Sequence, residues 1–173
     1  FLDYKSKKAL AAIYAFKSSK LNIINNTIDS SGKKSFGIFL VADTTDYKEA
    51  LYLIESNIIT SQTTALRVEL ASNISILNNK LSANNGMEIF AKSADVSNNI
   101  VEADNPTLIY FYDSRFKNNS LVSTSDTVAF TMGGYNNLII NNTLSSEKNG
   151  MTSYGDMFNN TFINNKISLS LNE

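Results

Sequence analysis

A hydrophobic residue, two asparagines, a spacer and a second hydrophobic residue recur along this chain: NIINNTIDS at 22–30, LIINNTLSS at 138–146 and FINNKIS at 162–168. Aligned on the second asparagine, the pattern stacks at Asn26, Asn57, Asn79, Asn99, Asn119, Asn142 and Asn165, at intervals of 31, 22, 20, 20, 23 and 23 residues. One position earlier stand Asn25, Ser56, Asn78, Asn98, Asn118, Asn141 and Asn164. Three before the aligned asparagine lie Ile23, Ile54, Ile76, Val96, Phe116, Ile139 and Phe162, and two after it Ile28, Ile59, Leu81, Val101, Leu121, Leu144 and Ile167. A unit of this length cannot bury its own apolar face, but stacked copies share one continuous core. The repeat therefore predicts an all-β solenoid of about seven rungs. With strands about 4.8 Å apart, it would be a rod on the order of 35 Å long.

A second block separates successive motifs: GIFLV (37–41), ALRVE (65–69), GMEIF (86–90), TLIYF (107–111), TVAFT (127–131) and GMTSY (150–154), with AIYAF (12–16) ahead of the first motif. All but GMTSY alternate as half-buried strands do. The alternation points Ile38/Leu40, Leu66/Val68, Met87/Ile89, Leu108/Tyr110 and Val128/Phe130 inward. It points Tyr14, Phe39, Arg67, Glu88, Ile109, Ala129 and Thr152 outward, with Phe16, Val41, Glu69, Phe90, Phe111, Thr131 and Tyr154 two positions on. That outer face is mostly apolar and aromatic, with a charged island of Arg67, Glu69 and Glu88. An exposed apolar patch of this kind marks a surface that binds something. Aromatic faces stack on sugar rings, so Tyr14, Phe39, Phe90, Phe111 and Tyr154 are the candidate ligand or partner face.

Asparagine suits the corners of such a coil because it tolerates left-handed backbone geometry. Its amide, both donor and acceptor, can bond to a copy one rung away. Asn26 through Asn165 are thus expected to form a structural ladder. Asn25-Asn26-Thr27, Asn73-Ile74-Ser75, Asn118-Asn119-Ser120, Asn141-Asn142-Thr143 and Asn159-Asn160-Thr161 also match the glycosylation sequon, as an alternative role.

Among 173 residues there is no Cys, His or Trp, and the net charge is −1. Thiolate chemistry, imidazole metal sites and histidine-based triads are excluded. No metal site and no cofactor is expected. No basic excess marks a nucleic-acid partner, and no apolar run is long enough to span a bilayer. The chain opens on Phe1 and alternates up to its last residues, so residues 1–173 are expected to be one β-helix domain, a segment of a longer one. Lys5, Lys7 and Lys8 ahead of an apolar run suggest a cap. The insertion Asp43–Glu49, with Asp43, Asp46, Tyr47 and Glu49, is a candidate functional loop.

The repeat resembles the right-handed parallel β-helix of the pectate-lyase-like superfamily over about residues 12 to 168. The run Asn159–Asn165 is similar to repeats of adhesin-like surface proteins of archaea and bacteria. That resemblance implies a non-enzymatic module at a cell or virion surface, binding glycans or partner subunits, with oligomerisation open. Two alternatives stand beside it. One is a polysaccharide lyase or glycoside hydrolase using Arg67, Glu69 and Glu88, since carboxylates on adjacent rungs could serve as acid and base. The other is a phage tail-spike segment that would trimerise through the apolar face. The aspartate runs that bind calcium in pectate lyases are missing, which weighs against their lyase chemistry.

Overall fold

The computed structural model describes residues 11–18, 20–30, 35–42 and 51–169; the Lys5–Lys8 segment and the Asp43–Glu49 insertion lie outside them. Every strand pairing is parallel, and each turn of the coil has three segments. The first is a short strand: β2 (Lys20–Ile24), β5 (Leu51–Glu55), β8 (Ile74–Leu77), β10 (Asp95–Ser97), β12 (Arg115–Lys117), β15 (Leu138–Ile140) or β18 (Thr161–Ile163). These seven pair in that order into one sheet. The second, beyond the asparagine corner, is β3 (Thr27–Ser30), β6 (Ile58–Ser61), β13 (Ser120–Ser123), β16 (Thr143–Ser146) or β19 (Lys166–Leu169). The third is β1 (Ala11–Ser18), β4 (Phe36–Ala42), β7 (Thr64–Ser72), β14 (Val128–Tyr135) or β17 (Asn149–Phe158). In β9 (Lys80–Lys92) and β11 (Ile100–Tyr112) the second and third segments run together, and all of these form a twelve-stranded sheet.

The predicted asparagine ladder is present and encloses about six turns. The Nδ2 of Asn26, Asn57, Asn79, Asn99, Asn119 and Asn142 each donates to the Oδ1 of the next ladder asparagine at 2.9–3.1 Å. The backbone N–H of each donates to the same oxygen. From Asn57 onward, the Nδ2 also donates to the carbonyl of the inward apolar residue one rung back, such as Asn99 to Ile76 at 2.9 Å. Turning the chain falls instead to the first residue of each pair: Asn25, Ser56, Asn78, Asn98, Asn118, Asn141 and Asn164 all have φ between 52° and 57°. The two abilities of asparagine are thus divided between neighbours, one exposed and bent, the other bonded and, from Asn57 to Asn142, buried.

The apolar columns beside the ladder are the core. Ile54, Ile76, Val96, Phe116, Ile59, Leu81, Val101 and Leu121 are fully buried, each worth about 1.5–3 kcal/mol over exposure. The third corner follows a simple rule. Two residues past the second apolar column stand Ser30, Ser61, Ser123 and Ser146, where the strand ends, and Ala83 and Ala103, where it continues. The Ser61 hydroxyl donates to the Ser35 carbonyl at 2.7 Å and that of Ser123 to Asp104 at 2.9 Å. At these two corners serine bonds to the turning backbone, an option alanine lacks. The Ser30 hydroxyl bonds to that of Ser35, and the buried Ser146 hydroxyl makes no such bond.

In the third segment the inward positions Ile38/Leu40, Leu66/Val68 and Met87/Ile89 are buried as expected. One block is corrected, and a second in part. The pairing sets Thr107 against Met87, Leu108 against Glu88 and Tyr110 against Phe90, one residue out of step with the alignment of TLIYF on GMEIF. A one-residue slip exchanges the faces of a strand, so Ile109 and Phe111 are core, and Leu108 and Tyr110 face out. In the next rung Thr131 pairs with outward Leu108, and Phe130 is buried as expected; Ala129 is buried as well, and Val128 is not.

Candidate functional site

The outer face of the third segment carries two aromatic groups separated by charge. At its start, Tyr14 and Phe16 stand outward, 51% and 57% exposed. Tyr14 meets Phe39 at 5.4 Å between ring centres, and Phe39 meets Phe36 at 5.1 Å. The Arg67 guanidinium lies over both phenylalanines, at 5.5 Å and 5.8 Å.

Arg67 also joins the two carboxylates of the island. It lies 2.6 Å from Glu69 and 2.9 Å from Glu88. The other Glu88 oxygen accepts from Thr64 at 3.2 Å and Asn85 at 3.1 Å. The three residues stand together as the alternation predicted, with Arg67 engaging both carboxylates. Glu88 further lines a groove of about 520 Å³ in which Asn85, Asn105, Asp126 and Lys148 stand among apolar side chains that include Leu108 and Val128. Asp126 and Lys148 pair at 3.3 Å; neither carried a signal in the sequence.

Beyond the island lies the second aromatic group. Tyr110 meets Tyr112 edge-on at 5.3 Å and Tyr154 at 6.5 Å, and Tyr112 meets Tyr135 at 4.4 Å. Two backbone features build this cluster. Gly133 stands one rung on from Tyr110, and a Cβ there would come within 2.6 Å of the Tyr110 ring, so glycine lets the ring lie across the next strand. In β17 the pairing passes from Ser153 to Met157 where β14 passes from Met132 to Gly134, looping out Tyr154, Gly155 and Asp156. Asp113, at the corner beyond Tyr112, pairs with Lys92 at 3.9 Å and accepts from Asn136 at 3.0 Å.

Tyr110 and Tyr112 line one side of a groove of about 570 Å³ whose lining includes Phe90, Leu70, Lys92 and Asn73. Its size falls in the range of small-molecule sites. Leu70 is an extra residue in β7, between Val68 and Ala71 in the pairing with β9. It has φ 59° and is 56% exposed. A left-handed conformation costs a residue of this type about 1–2 kcal/mol, and such strain gathers at functional sites. Of the candidate face, Tyr14, Phe39, Phe90 and Tyr154 stand outward. Phe111 is corrected: it is fully buried, and Tyr110 takes its place. Leu70, Tyr112 and Tyr135 went unpredicted as members of this face.

Burial, then hydrogen bonding and charge repulsion from Tyr110, then Tyr135, push the Tyr112 phenol up from 10.0 to about 12. A pKa raised by folding means that the neutral phenol belongs to the folded state. Its contribution is intact below pH 10 and is lost as pH rises toward about 12. In a phenolate absorbance titration, one tyrosine should titrate near 12, and Tyr110→Phe should move that step down.

Among the described residues no group of three or more acidic, His or Cys side chains is placed to hold a metal ion, and no helix is long and apolar enough to cross a membrane. Parallel strands coiled around one core, with a polar ladder at one corner, define a parallel β-solenoid. Residues 11–167 match the model of the right handed beta helix region, and the chain belongs to that family. No curated protein and no solved structure is detectably similar to it.

Proposed function

We propose that this β-helix is a non-catalytic binding module at a cell or virion surface, and that its aromatic sheet face holds an extended glycan. The observation that carries this reading is the tyrosine groove: Tyr110 and Tyr112, joined by Phe90 and by Leu70 on its strained bulge. Aromatic faces supply stacking area and phenols supply hydrogen bonds. Rungs about 4.8 Å apart are close to the length of one pyranose in an extended chain. Successive sugars could therefore meet successive rungs, from the tyrosine groove across the charged island to Tyr14 and Phe39. The island favours binding over a lyase or hydrolase. Arg67 holds both carboxylates, and donors from the protein surround Glu88.

The test is a panel of soluble polysaccharides, with binding and newly formed chain ends measured on the same samples. Binding without new ends is expected, weakened at least tenfold by Tyr110→Ser and Phe90→Ser. Arg67→Ala should leave the number of chain ends at background. New ends, or an unsaturated uronate, would make the protein an enzyme, with Glu69 and Glu88 the first residues to replace. A trimer whose formation depends on the same aromatic residues would turn the face into a subunit interface.

A further inference from the structure

We propose that the exposed corner asparagines Asn25, Asn73, Asn118, Asn141 and Asn159 are N-glycan attachment sites that fence the outer face of the seven-stranded sheet. In a sequon the acceptor is the first residue. At four of the five, the pair is Asn-Asn followed by Thr or Ser. The acceptor is then the exposed left-handed asparagine, never the hydrogen-bonded asparagine after it. Structural ladder and sequon therefore do not compete for the same side chain. All five acceptors are exposed and have φ between 52° and 57°.

Their placement is the second observation. Asn25, Asn118 and Asn141 stand on the corner that follows the seven-stranded sheet, and Asn73 and Asn159 on the corner that precedes it. Between these two edges, the sheet's outer face carries apolar side chains at Leu53, Leu77, Leu138, Ile140 and Ile163. Glycans on both edges would cover these apolar side chains, which lie on either side of the polar middle rungs with Asp95, Ser97, Arg115 and Lys117. Only Asn73 also lines the tyrosine groove, so a glycan there would narrow access to it.

The reaction needs a lipid-phosphate-linked oligosaccharide and a membrane oligosaccharyltransferase. The asparagine Nδ2 attacks C1 of the first sugar. The C1–N bond forms and the C1–O bond to phosphate breaks. The lipid phosphate leaves with the electron pair, and the amide gives one proton to a base of the transferase. The proposal shares with the binding reading only the premise of export, and it holds whatever the aromatic face binds.

The experiment is secretion of the chain from yeast, followed by intact mass before and after peptide-N-glycosidase and by peptide mapping. Glycan is expected at corner asparagines of both edges, with the unfolding midpoint unchanged or raised relative to enzymatically stripped protein. Thr143→Val, which keeps Asn141 and the ladder, should remove one glycan and leave the midpoint in place. Stripped protein should self-associate faster. Folded, secreted protein without glycan at these positions would overturn the proposal, as would glycan confined to the unfolded fraction or self-association that stripping leaves unchanged.

Discussion

Asn99→Ala is expected to remove about 4 kcal/mol or more of stability, seen as a large fall in the urea midpoint. Asn99 is fully buried in the middle of the ladder. Its Oδ1 accepts from the backbone N–H and the Nδ2 of Asn79, and its Nδ2 donates to Ile76 and Asn119. Alanine would strand the buried Asn79 N–H, at about 1–3 kcal/mol. It would also remove one hydrogen bond each from Asn79 Nδ2, the Ile76 carbonyl and Asn119 Oδ1, at about 0.5–1.5 kcal/mol apiece, although Asn79 Nδ2 keeps Ile54 and Asn119 Oδ1 keeps the backbone N–H of residue 99. The neighbouring Asn98 is the control. It has φ 57° and is exposed, and one hydrogen bond reaches its side chain, from Asn118 at 3.1 Å. Asn98→Gly should be close to neutral, since glycine adopts this conformation freely. Asn98→Ala should cost about 1–2 kcal/mol from backbone strain alone. Equal losses at the two positions would mean that the ladder does not carry the stability assigned to it.

The ladder was legible because its period is fixed on both sides by apolar columns, which leaves no freedom in alignment. The corner between the third segment and the short sheet was not. It turns at Asn73, Ser93, Asp113, Asn136 and Asn159, all with positive φ. The residues after these are Ile74, Ala94, Ser114, Asn137 and Asn160. Only the last three extend a second ladder: Ser114 Oγ accepts from the Ala94 N–H at 2.9 Å, Asn137 Oδ1 from Ser114 at 3.1 Å and Asn160 Oδ1 from Asn137 at 3.0 Å. Four residue types over five positions show no repeat in the sequence, although the backbone repeats. The candidate face was legible as a face, aromatic with a charged island. Its membership was not, because the third segment has bulges at Leu70 and in β17 and no asparagine to anchor its register. With one of two alternating faces apolar inside and the other apolar outside, TLIYF reads equally well in either register.

That ambiguity makes Phe111 the sharpest point of difference. Phe111→Ser is expected to destabilise the protein by about 4–5 kcal/mol or to prevent folding. Removing a buried phenylalanine side chain costs about 3–5 kcal/mol, and the new hydroxyl would need a partner within the core. Its neighbours in the column cannot fill the space: Phe111 pairs with Ala91 on one side and Gly134 on the other. Gly134 cannot be enlarged to compensate, since its φ is 99° and a Cβ there would run into the Phe111 carbonyl. The ring is the large member of a layer whose adjacent members are small. Tyr110→Ser, one residue away, should behave in the opposite way. Its ring lies outward across Gly133, so folding should survive with a loss of about 1 kcal/mol or less, while binding to the groove falls. Thermal melts of the two variants separate the registers directly. A stable Phe111→Ser that loses ligand, beside an unfolded Tyr110→Ser, would put β11 back in the register in which Phe111 faces the ligand.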